Sequence, residues 1–148
     1  MVDTGKKLPT SRRALASAVV RLGPRVFPLV RANRVAKGDV LGVAVIAGIQ
    51  AGKRASEWIP LAHPISLDVV RVRPRLDRKT LSVVIEAEAR TRAATGVEME
   101  AMVAAAAAAL ALYDMVKGVD KGVRIERVML IEKSGGRSGT WTRARSRS

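Results

Sequence analysis

The chain contains no cysteine, a single histidine and few aromatic residues, and each shortage excludes a class of function. Without cysteine there are no disulfides, no thiolate metal ligands and no cysteine nucleophile. The single histidine argues against a zinc site, because such sites usually take three or four His, Cys or carboxylate ligands. Aromatic residues make up 3% of the chain, too few for a surface on which nucleic-acid bases stack.

Long apolar runs are also missing. None reaches the ~18–20 uncharged residues of a membrane span, and the basic N-terminus lacks the apolar core of a signal peptide. We therefore expect a cytoplasmic protein that makes no membrane contact. The chain has 148 residues, 48% of them apolar, which suits one domain with a packed core. We expect a single catalytic domain over residues 1–141 and a basic, disordered tail over residues 142–148, with disorder setting in at about Trp141.

Positive charge is concentrated at the two ends of the chain. Lys and Arg number 27 against 13 Asp and Glu, a net charge of +14. Residues 1–37 carry nine basic residues and one acidic residue, and residues 133–148 carry five basic residues and none that is acidic. Such an excess indicates a polyanionic partner. A basic RNA-binding domain is therefore the alternative to an enzyme with an anionic substrate, but the scarcity of aromatic residues argues against a nucleic-acid partner.

The hydropathy pattern predicts an α+β fold, an antiparallel sheet with helices packed on one face. We predict helices over residues 12–22, 39–58 and 95–117, strands over residues 65–73, 80–90 and 123–132, and at best an edge strand over residues 25–31. The helix signals are a Gly23-Pro24 stop, an N-cap at Asp39, and a capping box of Thr95 and Glu98. Strands 65–73 and 80–90 alternate in hydropathy and should form a hairpin that turns near residues 77–79.

Asp114 and Lys117 stand three residues apart near the end of the alanine-rich helix, so they share one face of it. One interpretation is an acid–base pair, because both side chains can move protons and the carboxylate favours the charged lysine. The other is an ordinary surface ion pair in the last helical turn. Spacing alone does not separate the two.

Two further groups of residues have both a functional and an ordinary interpretation. His63, in the segment LeuAlaHisPro (61–64), could transfer protons near neutral pH, or be incidental in its loop. Glu98 and Glu100 could accept the N–H groups of a purine or pterin edge, or simply favour the N-terminus of their helix.

A glycine-rich basic segment, SerGlyGlyArgSerGly (134–139), follows Lys133. Its unblocked backbone N–H groups suit an anion-binding nest, although a flexible basic loop fits the spacing equally well. It is not a Walker A loop, because the Gly-x-x-x-x-Gly-Lys-Ser/Thr pattern is absent. Lys37 and Lys53 stand before and within the second predicted helix, and taken alone each would be a solvated lysine.

Taken together, these segments resemble one family, the cyclic pyranopterin monophosphate synthases, the C proteins of molybdenum-cofactor biosynthesis. Seven segments stand in that family's order, close to its spacings, over residues 1–140. They are MetValAsp (1–3), LysGlyAspVal (37–40), IleAlaGlyIleGlnAlaGlyLysArg (46–54), IleProLeuAlaHisPro (59–64), ThrGlyValGluMetGluAla (95–101), TyrAspMetValLys (113–117) and LysSerGlyGlyArgSerGly (133–139). One such segment would be weak, but seven in order are specific.

The resemblance implies a ferredoxin-like fold and a homohexamer built as a trimer of dimers. It implies a lyase that converts 3′,8-cyclo-7,8-dihydroguanosine triphosphate into cyclic pyranopterin monophosphate and pyrophosphate. By motif, Asp114 and Lys117 match the catalytic pair. The positions that match substrate-binding residues are Leu61, Ala62, His63, Met99, Glu100, Glu98, Lys37, Lys53 and Lys133.

One position departs from the family pattern, in which a cysteine usually precedes the histidine, whereas this chain has Ala62. Because a cysteine-free chain cannot use thiol chemistry, this position is either only a packing or backbone contact, or one at which activity is altered here. The implied reaction has no redox step, so we expect no organic cofactor and no metal ligands in the protein, with magnesium arriving on the triphosphate if it is needed.

Helix geometry predicts that the site is shared between subunits. Glu100 and Asp114 are 14 residues apart, which places them on one stripe of the helix but separates them by ~21 Å along its axis. Both ends of one straight helix can hardly converge on one nucleotide. Two copies of the helix, paired antiparallel about a two-fold axis through their alanine-rich faces, would bring Glu100 of one chain near Asp114 of the other.

Overall fold

A five-stranded antiparallel sheet forms the base of the fold in the computed structural model, which describes residues 1, 3, 5 and 8–144. The strands are β1 (Thr10–Arg21), β2 (Val69–Asp77), β3 (Ser82–Ala93), β4 (Arg124–Ser134) and β5 (Trp141–Thr142). Their order across the sheet is β2-β3-β1-β4-β5. The helices are α1 (Gly23–Arg31), α2 (Val40–Lys53), α3 (Ala55–Trp58) and α4 (Glu98–Val116). With its helical segments between β1 and β2 and between β3 and β4, the chain follows the βαββαβ path of a ferredoxin-like fold, which confirms the predicted α+β class.

The centre of the core is α4, which packs on the sheet and against α2. Eleven of its 19 residues are buried, six of them alanines. By length and composition α4 could also cross a membrane, but a buried core helix passes the same test, and α4 is buried inside the fold. Helix α2 approaches it through glycines: a Cβ at Gly48 would lie 2.8 Å from the Ala104 carbonyl oxygen, and one at Gly52 would lie 3.2 Å from the Glu100 carbonyl oxygen. The two helices therefore run antiparallel in close contact.

The first predicted helix is wrong, because residues 12–22 lie almost entirely in strand β1. Ala14, Ala16 and Ala18 all point to the helix-covered face and are fully buried. Alanine favours helices by intrinsic propensity, which suggested the helix. Here the alanines recur with the two-residue period of a strand, and their small side chains leave room for α4 against the sheet.

The edge strand predicted over residues 25–31 is also wrong, because this segment belongs to helix α1. The Gly23-Pro24 pair opens that helix rather than ending one before it. Gly23 has φ of 73°, so it turns the chain out of β1, and Pro24 stands at the first turn, where its missing N–H costs nothing. Val26, Phe27 and Val30 then form the buried stripe that holds α1 on the core.

The remaining predicted elements are present, with three differences. The helix predicted over residues 39–58 is divided at Arg54 into α2 and α3, the strand predicted over residues 65–73 is β2 and runs from Val69 to Asp77, and one predicted cap is wrong. Asp39 caps α2, its side chain accepting the Gly42 N–H at 2.9 Å. The predicted hairpin is β2 and β3, paired from Val69–Arg90 to Asp77–Ser82. The predicted capping box of Thr95 and Glu98 is wrong. Helix α4 begins after Val97, and no side chain forms a capping hydrogen bond at this helix start. Val97 is 1% exposed, so its anchoring in the core fixes this helix start and leaves Thr95 two residues too early to cap it.

The C-terminal segment differs from the disorder expected from Trp141 onward. Trp141 and Thr142 pair with Lys133 and Glu132 of β4, and the Arg143 N–H donates to the Ile131 carbonyl oxygen at 2.8 Å. The structure thus orders the first residues of the predicted tail, while residues 145–148 lie outside the described part of the chain.

The close approach of α2 to α4 predicts a specific sensitivity. Gly48→Ala should lower the free energy of unfolding by about 1–3 kcal/mol, because a Cβ there would meet the Ala104 carbonyl and the Ala108 side chain, as overpacking does in other cores. Urea unfolding measures the change. The control is Gly118→Ala, where a Cβ meets nothing within 4 Å. Equal stability of the two variants would contradict the tight helix contact.

Candidate active site

At the C-terminal end of α4, one carboxylate is held between two lysines. Lys117 Nζ lies 2.7 Å from Asp114 Oδ1, and Lys37 Nζ lies 2.8 Å from Asp114 Oδ2. Lys37 also donates to the Asp114 carbonyl oxygen at 2.9 Å, one of the backbone acceptors left open at a helix end. We call these three residues the lysine–aspartate cluster. The spacing of Asp114 and Lys117 predicted their contact, whereas Lys37, 77 residues away, joins only through the fold.

The cluster fixes the charges of its members. Hydrogen bonds from Lys117 and then Lys37 hold the pKa of Asp114 at about 2, well below its ordinary value. The same contact with Asp114 raises the pKa of Lys117. At neutral pH Asp114 is therefore ionised and Lys117 is protonated. The side chains of the cluster are about half exposed, so an anionic ligand can reach them.

The other end of α4 carries a small pocket of about 310 Å³. It gathers the residues singled out on either side of the hairpin: Leu61, Ala62, His63, Glu98, Met99 and Glu100. The loop after α3 supplies the first three and the first turn of α4 the others. The structure therefore brings these sequence-predicted residues together, and we call this the α4 N-terminal pocket.

Glu100 is the buried acid of this pocket, with 4% of the residue exposed. Burial raises the pKa of its carboxyl group, the nearby Glu98 charge adds to the shift, and a backbone hydrogen bond opposes it. A carboxyl in this setting keeps its proton to higher pH than a solvated glutamate does. The two ends of α4 thus carry acids whose pKa values are shifted in opposite directions, lowered for Asp114 and raised for Glu100.

A larger basic cleft of about 720 Å³ adjoins this pocket and shares Thr95, Gly96 and Glu98 with it. Its cationic lining residues are Arg12, Arg13, Lys133 and Arg137. The loop predicted as a nest or a flexible segment borders it, with Gly135 and Gly136 at φ of 97° and 73°, and Lys133 Nζ bonded to Ser138 Oγ. We call this the basic cleft.

Sequence analysis missed Arg12, whose guanidinium lies in the basic cleft. Its Nε and Nη2 donate to the carbonyl oxygens of Ala93 and Ala94 at 3.2 and 3.3 Å. Gly136 has φ of 73°, a conformation that favours glycine, and a Cβ there would displace this guanidinium. The two-residue alternation of β1 is the sequence signal that would have predicted the side of the strand on which Arg12 lies, which is the side of the glycine-rich loop.

Among the described residues, Lys53 is the sequence-predicted site residue that belongs neither to the lysine–aspartate cluster nor to the linings of the α4 N-terminal pocket and the basic cleft. It ends α2 and is exposed. Its neighbour Gly52 packs against the Glu100 backbone, so Lys53 lies at the N-terminal end of α4. One chain therefore places Lys53 at one end of α4 and the lysine–aspartate cluster at the other, ~21 Å along the axis.

The domain has an α+β fold and carries the basic cleft, the α4 N-terminal pocket and the lysine–aspartate cluster. Together these features suit a small, anionic ligand that forms hydrogen bonds. Residues 1–136 match the family model described as the MoaC family. The chain belongs to the MoaC family.

Curated relatives align over nearly the whole chain. It is 53% identical over 143 residues to a cyclic pyranopterin monophosphate synthase of Thermomicrobium roseum, covering 97% of this chain and 86% of that protein. It is 52% identical to a mitochondrial protein of that name from Arabidopsis thaliana, covering 97% of this chain and 53% of the relative. It is 50% identical to human molybdenum cofactor biosynthesis protein 1, of which it spans 23%.

The lysine–aspartate cluster predicts a measurable pKa change. Lys117→Ala removes the hydrogen bond with the largest effect on Asp114, so the pKa of that carboxyl should rise from about 2 toward its ordinary value. NMR titration of the carboxyl carbon measures it. Lys37→Ala should raise the pKa too, but by less, because its bond has the smaller effect. A pKa of Asp114 that stays unchanged in both variants would show that the cluster does not form in solution.

Proposed function

We propose that this chain is a cyclic pyranopterin monophosphate synthase, acting on 3′,8-cyclo-7,8-dihydroguanosine triphosphate and releasing pyrophosphate in molybdenum cofactor biosynthesis. The observation that carries the proposal is a family match that spans both ends of α4, from Lys37 to Lys133. The names of the relatives support the same activity and give no support to the RNA-binding alternative.

The basic cleft suits the phosphate end of this substrate. The reaction closes a cyclic phosphate as pyrophosphate leaves, so negative charge grows on the departing group. Arg12, Lys133 and Arg137 supply cationic donors there, and fixed donors stabilise such charge effectively. We propose that no organic cofactor takes part, because the rearrangement has no redox step, and that any magnesium comes with the triphosphate.

The α4 N-terminal pocket suits the base. Its carboxyl groups, on Glu98 and Glu100, can accept N–H groups of the guanine-derived ring, and His63 lies in the same pocket to exchange a proton. Leu61, Ala62 and Met99 supply apolar walls. Ala62 takes part as a packing residue, since its methyl group has no acid–base chemistry.

The lysine–aspartate cluster suits proton transfer. Asp114 orients the Lys117 ammonium and keeps it protonated, while Lys37 adds a second positive charge. Because the raised pKa also makes Lys117 a weaker acid, it gives its proton only to a strongly basic group of the substrate. Within one chain, however, this cluster is ~21 Å along α4 from the pocket that would hold the base. Catalysis in a single site therefore needs the cluster of a second chain.

An exposed apolar surface on the helix layer offers the contact for that second chain. Ile46 of α2 is 59% exposed, Leu110 of α4 is 52% exposed, and Trp58 of α3 is 53% exposed. Trp58 and Leu110 border one shallow groove between the helices. Most alanines of α4 are buried inside the chain, so this patch, rather than the alanine-rich face we expected, would form the two-fold contact. We propose the homohexamer, a trimer of dimers, on the family resemblance.

A cytoplasmic location stays a proposal that fractionation of cells would test. The name of the Arabidopsis thaliana relative places that protein in mitochondria. The fold therefore does not dictate the compartment.

Loss of either member of the catalytic pair should remove most activity. Asp114→Asn and Lys117→Ala should each lower kcat by ~10²–10⁴, the usual contribution of an acid–base group, with the melting temperature kept. Mass analysis of pyranopterin and pyrophosphate after incubation with the cyclised nucleotide measures turnover. Lys79→Ala, which removes a charge at the β2–β3 turn, is the matched control. Near-normal turnover in either site variant would contradict the assigned role.

Complementation tests whether the site is shared. Glu100→Gln and Asp114→Asn, each inactive alone, should regain activity when mixed under conditions of subunit exchange, because a mixed dimer holds one intact site of two. Native mass spectrometry confirms exchange. Activity that stays at baseline in confirmed mixed dimers would rule out a site that pairs Glu100 of one chain with Asp114 of the other.

A further inference from the structure

Strand β4 contains two register shifts against β1, and an arginine–glutamate pair stands beside each. The first shift lies between Leu15 and Ala16 and skips Ile131; the second lies between Val19 and Val20 and skips Glu126. Arg13 of β1 bonds to Glu132 at the first, and Arg21 of β1 bonds to Glu126 at the second. Bulges of this kind re-aim side chains and recur next to active sites.

The first bulge decides which side chain of β4 faces the basic cleft. Beyond it Ala14 pairs with Lys133 and Leu15 with Glu132. Ala14 is on the helix-covered face, so Lys133 is on that face, together with Arg12, while Glu132 is on the open face with Arg13. If Ile131 were paired with Leu15 as in a regular ladder, every later pair would move by one position, and Glu132 instead of Lys133 would face the cleft.

Arg13 ties this end of β4 to the two strands beside it. Its Nη1 lies 2.5 Å from Glu132 Oε1 on β4, and its Nε lies 2.6 Å from Glu88 Oε1 on β3. Glu88 is 6% exposed and also meets Arg71 and Arg90. Burial by itself would raise the pKa of Glu88, but the hydrogen bonds from Arg13 and Arg90 outweigh it and lower the pKa, so this anchor stays ionised.

We infer that the Arg13–Glu132 pair is a positioning device, which pins the bulged end of β4 so that Lys133 points into the basic cleft. Glu132 does not line the cleft, so it acts through Lys133 rather than on a ligand. The inference rests on the proposed function only in taking the cleft to receive phosphate groups. Arg13 itself borders the cleft, which makes Glu132 the cleaner residue to change.

The Arg21–Glu126 pair is a matched control on the same two strands. Arg21 Nε lies 2.9 Å from Glu126 Oε1, and its side-chain exposures of 36% and 29% are close to the 33% of Arg13 and of Glu132. The pair lies eight residues along β1 from Arg13, ~27 Å by strand geometry, and so is remote from the cleft. Removing either glutamate changes the net charge equally.

The experiment measures binding of inorganic pyrophosphate to the full chain by calorimetry, beside a melting scan of each variant. Glu132→Ala should weaken binding about tenfold, a partial loss of one charged hydrogen bond, whereas Glu126→Ala should leave it near wild type. Charge alone predicts the opposite sign for Glu132→Ala, because loss of a carboxylate favours anion binding. Glu132→Asp keeps the charge but is one methylene shorter, which disturbs the contact with Arg13, so it should also weaken binding. Glu132→Gln keeps an acceptor at the same reach and should restore most of the affinity.

Equal affinity in Glu132→Ala and Glu126→Ala would overturn the positioning role, and so would tighter binding in the former. If Glu132→Ala fails to fold, Glu132→Asp decides: affinity equal to wild type overturns the inference. A wild-type chain that does not bind pyrophosphate also overturns it. A wild-type chain that binds pyrophosphate but does not convert the cyclised nucleotide refutes the proposed function, while the comparison of Glu132 and Glu126 variants still decides the inference.

Discussion

Close packing of α4 is the constraint on which the rest of the structure depends. Its alanine side chains meet a sheet whose own inward residues on β1 are alanines, fully buried at Ala14, Ala16 and Ala18. On its other side α2 approaches through Gly48 and Gly52, where a single added carbon would press on the α4 backbone. Because there is little free volume at these contacts, the helix is held firmly in direction and depth.

A helix held in this way sets a fixed distance between its ends. The lysine–aspartate cluster at one end keeps Asp114 ionised, whereas burial at the other end favours the protonated form of Glu100. One helix therefore carries an ionised carboxylate at one end and, at the other, a carboxyl group that keeps its proton to higher pH than a solvated glutamate does. Since α4 keeps them ~21 Å apart within a chain, the shared site that we propose joins them through a second copy rather than through a bend in the helix.

Sequence reasoning succeeded where the local signal and the tertiary environment agree. The hairpin of β2 and β3, the Asp39 cap and the long α4 all have strong local patterns, and the structure contains each of them. It failed for β1, where alanine content indicated a helix although the segment alternates between faces. Because β1 was predicted as a helix, Arg12 was not recognised as a candidate site residue, and the Gly23-Pro24 pair was interpreted as the end of a helix. Contacts between distant segments, such as Lys37 with Asp114, carry no local signal at all.

The adjacent residues Arg12 and Arg13 show why net charge alone says little about function. In a helix they would point in neighbouring directions, but in β1 they lie on opposite faces of the sheet. Arg13 is neutralised by Glu88 and Glu132 and fastens strands together. Arg12 donates only to the backbone carbonyls of Ala93 and Ala94 among its described hydrogen bonds, so its positive charge is not balanced by a carboxylate there. Strand alternation thus gives two adjacent arginines different tasks: Arg13 joins neighbouring strands through carboxylates, and Arg12 keeps its charge for the basic cleft.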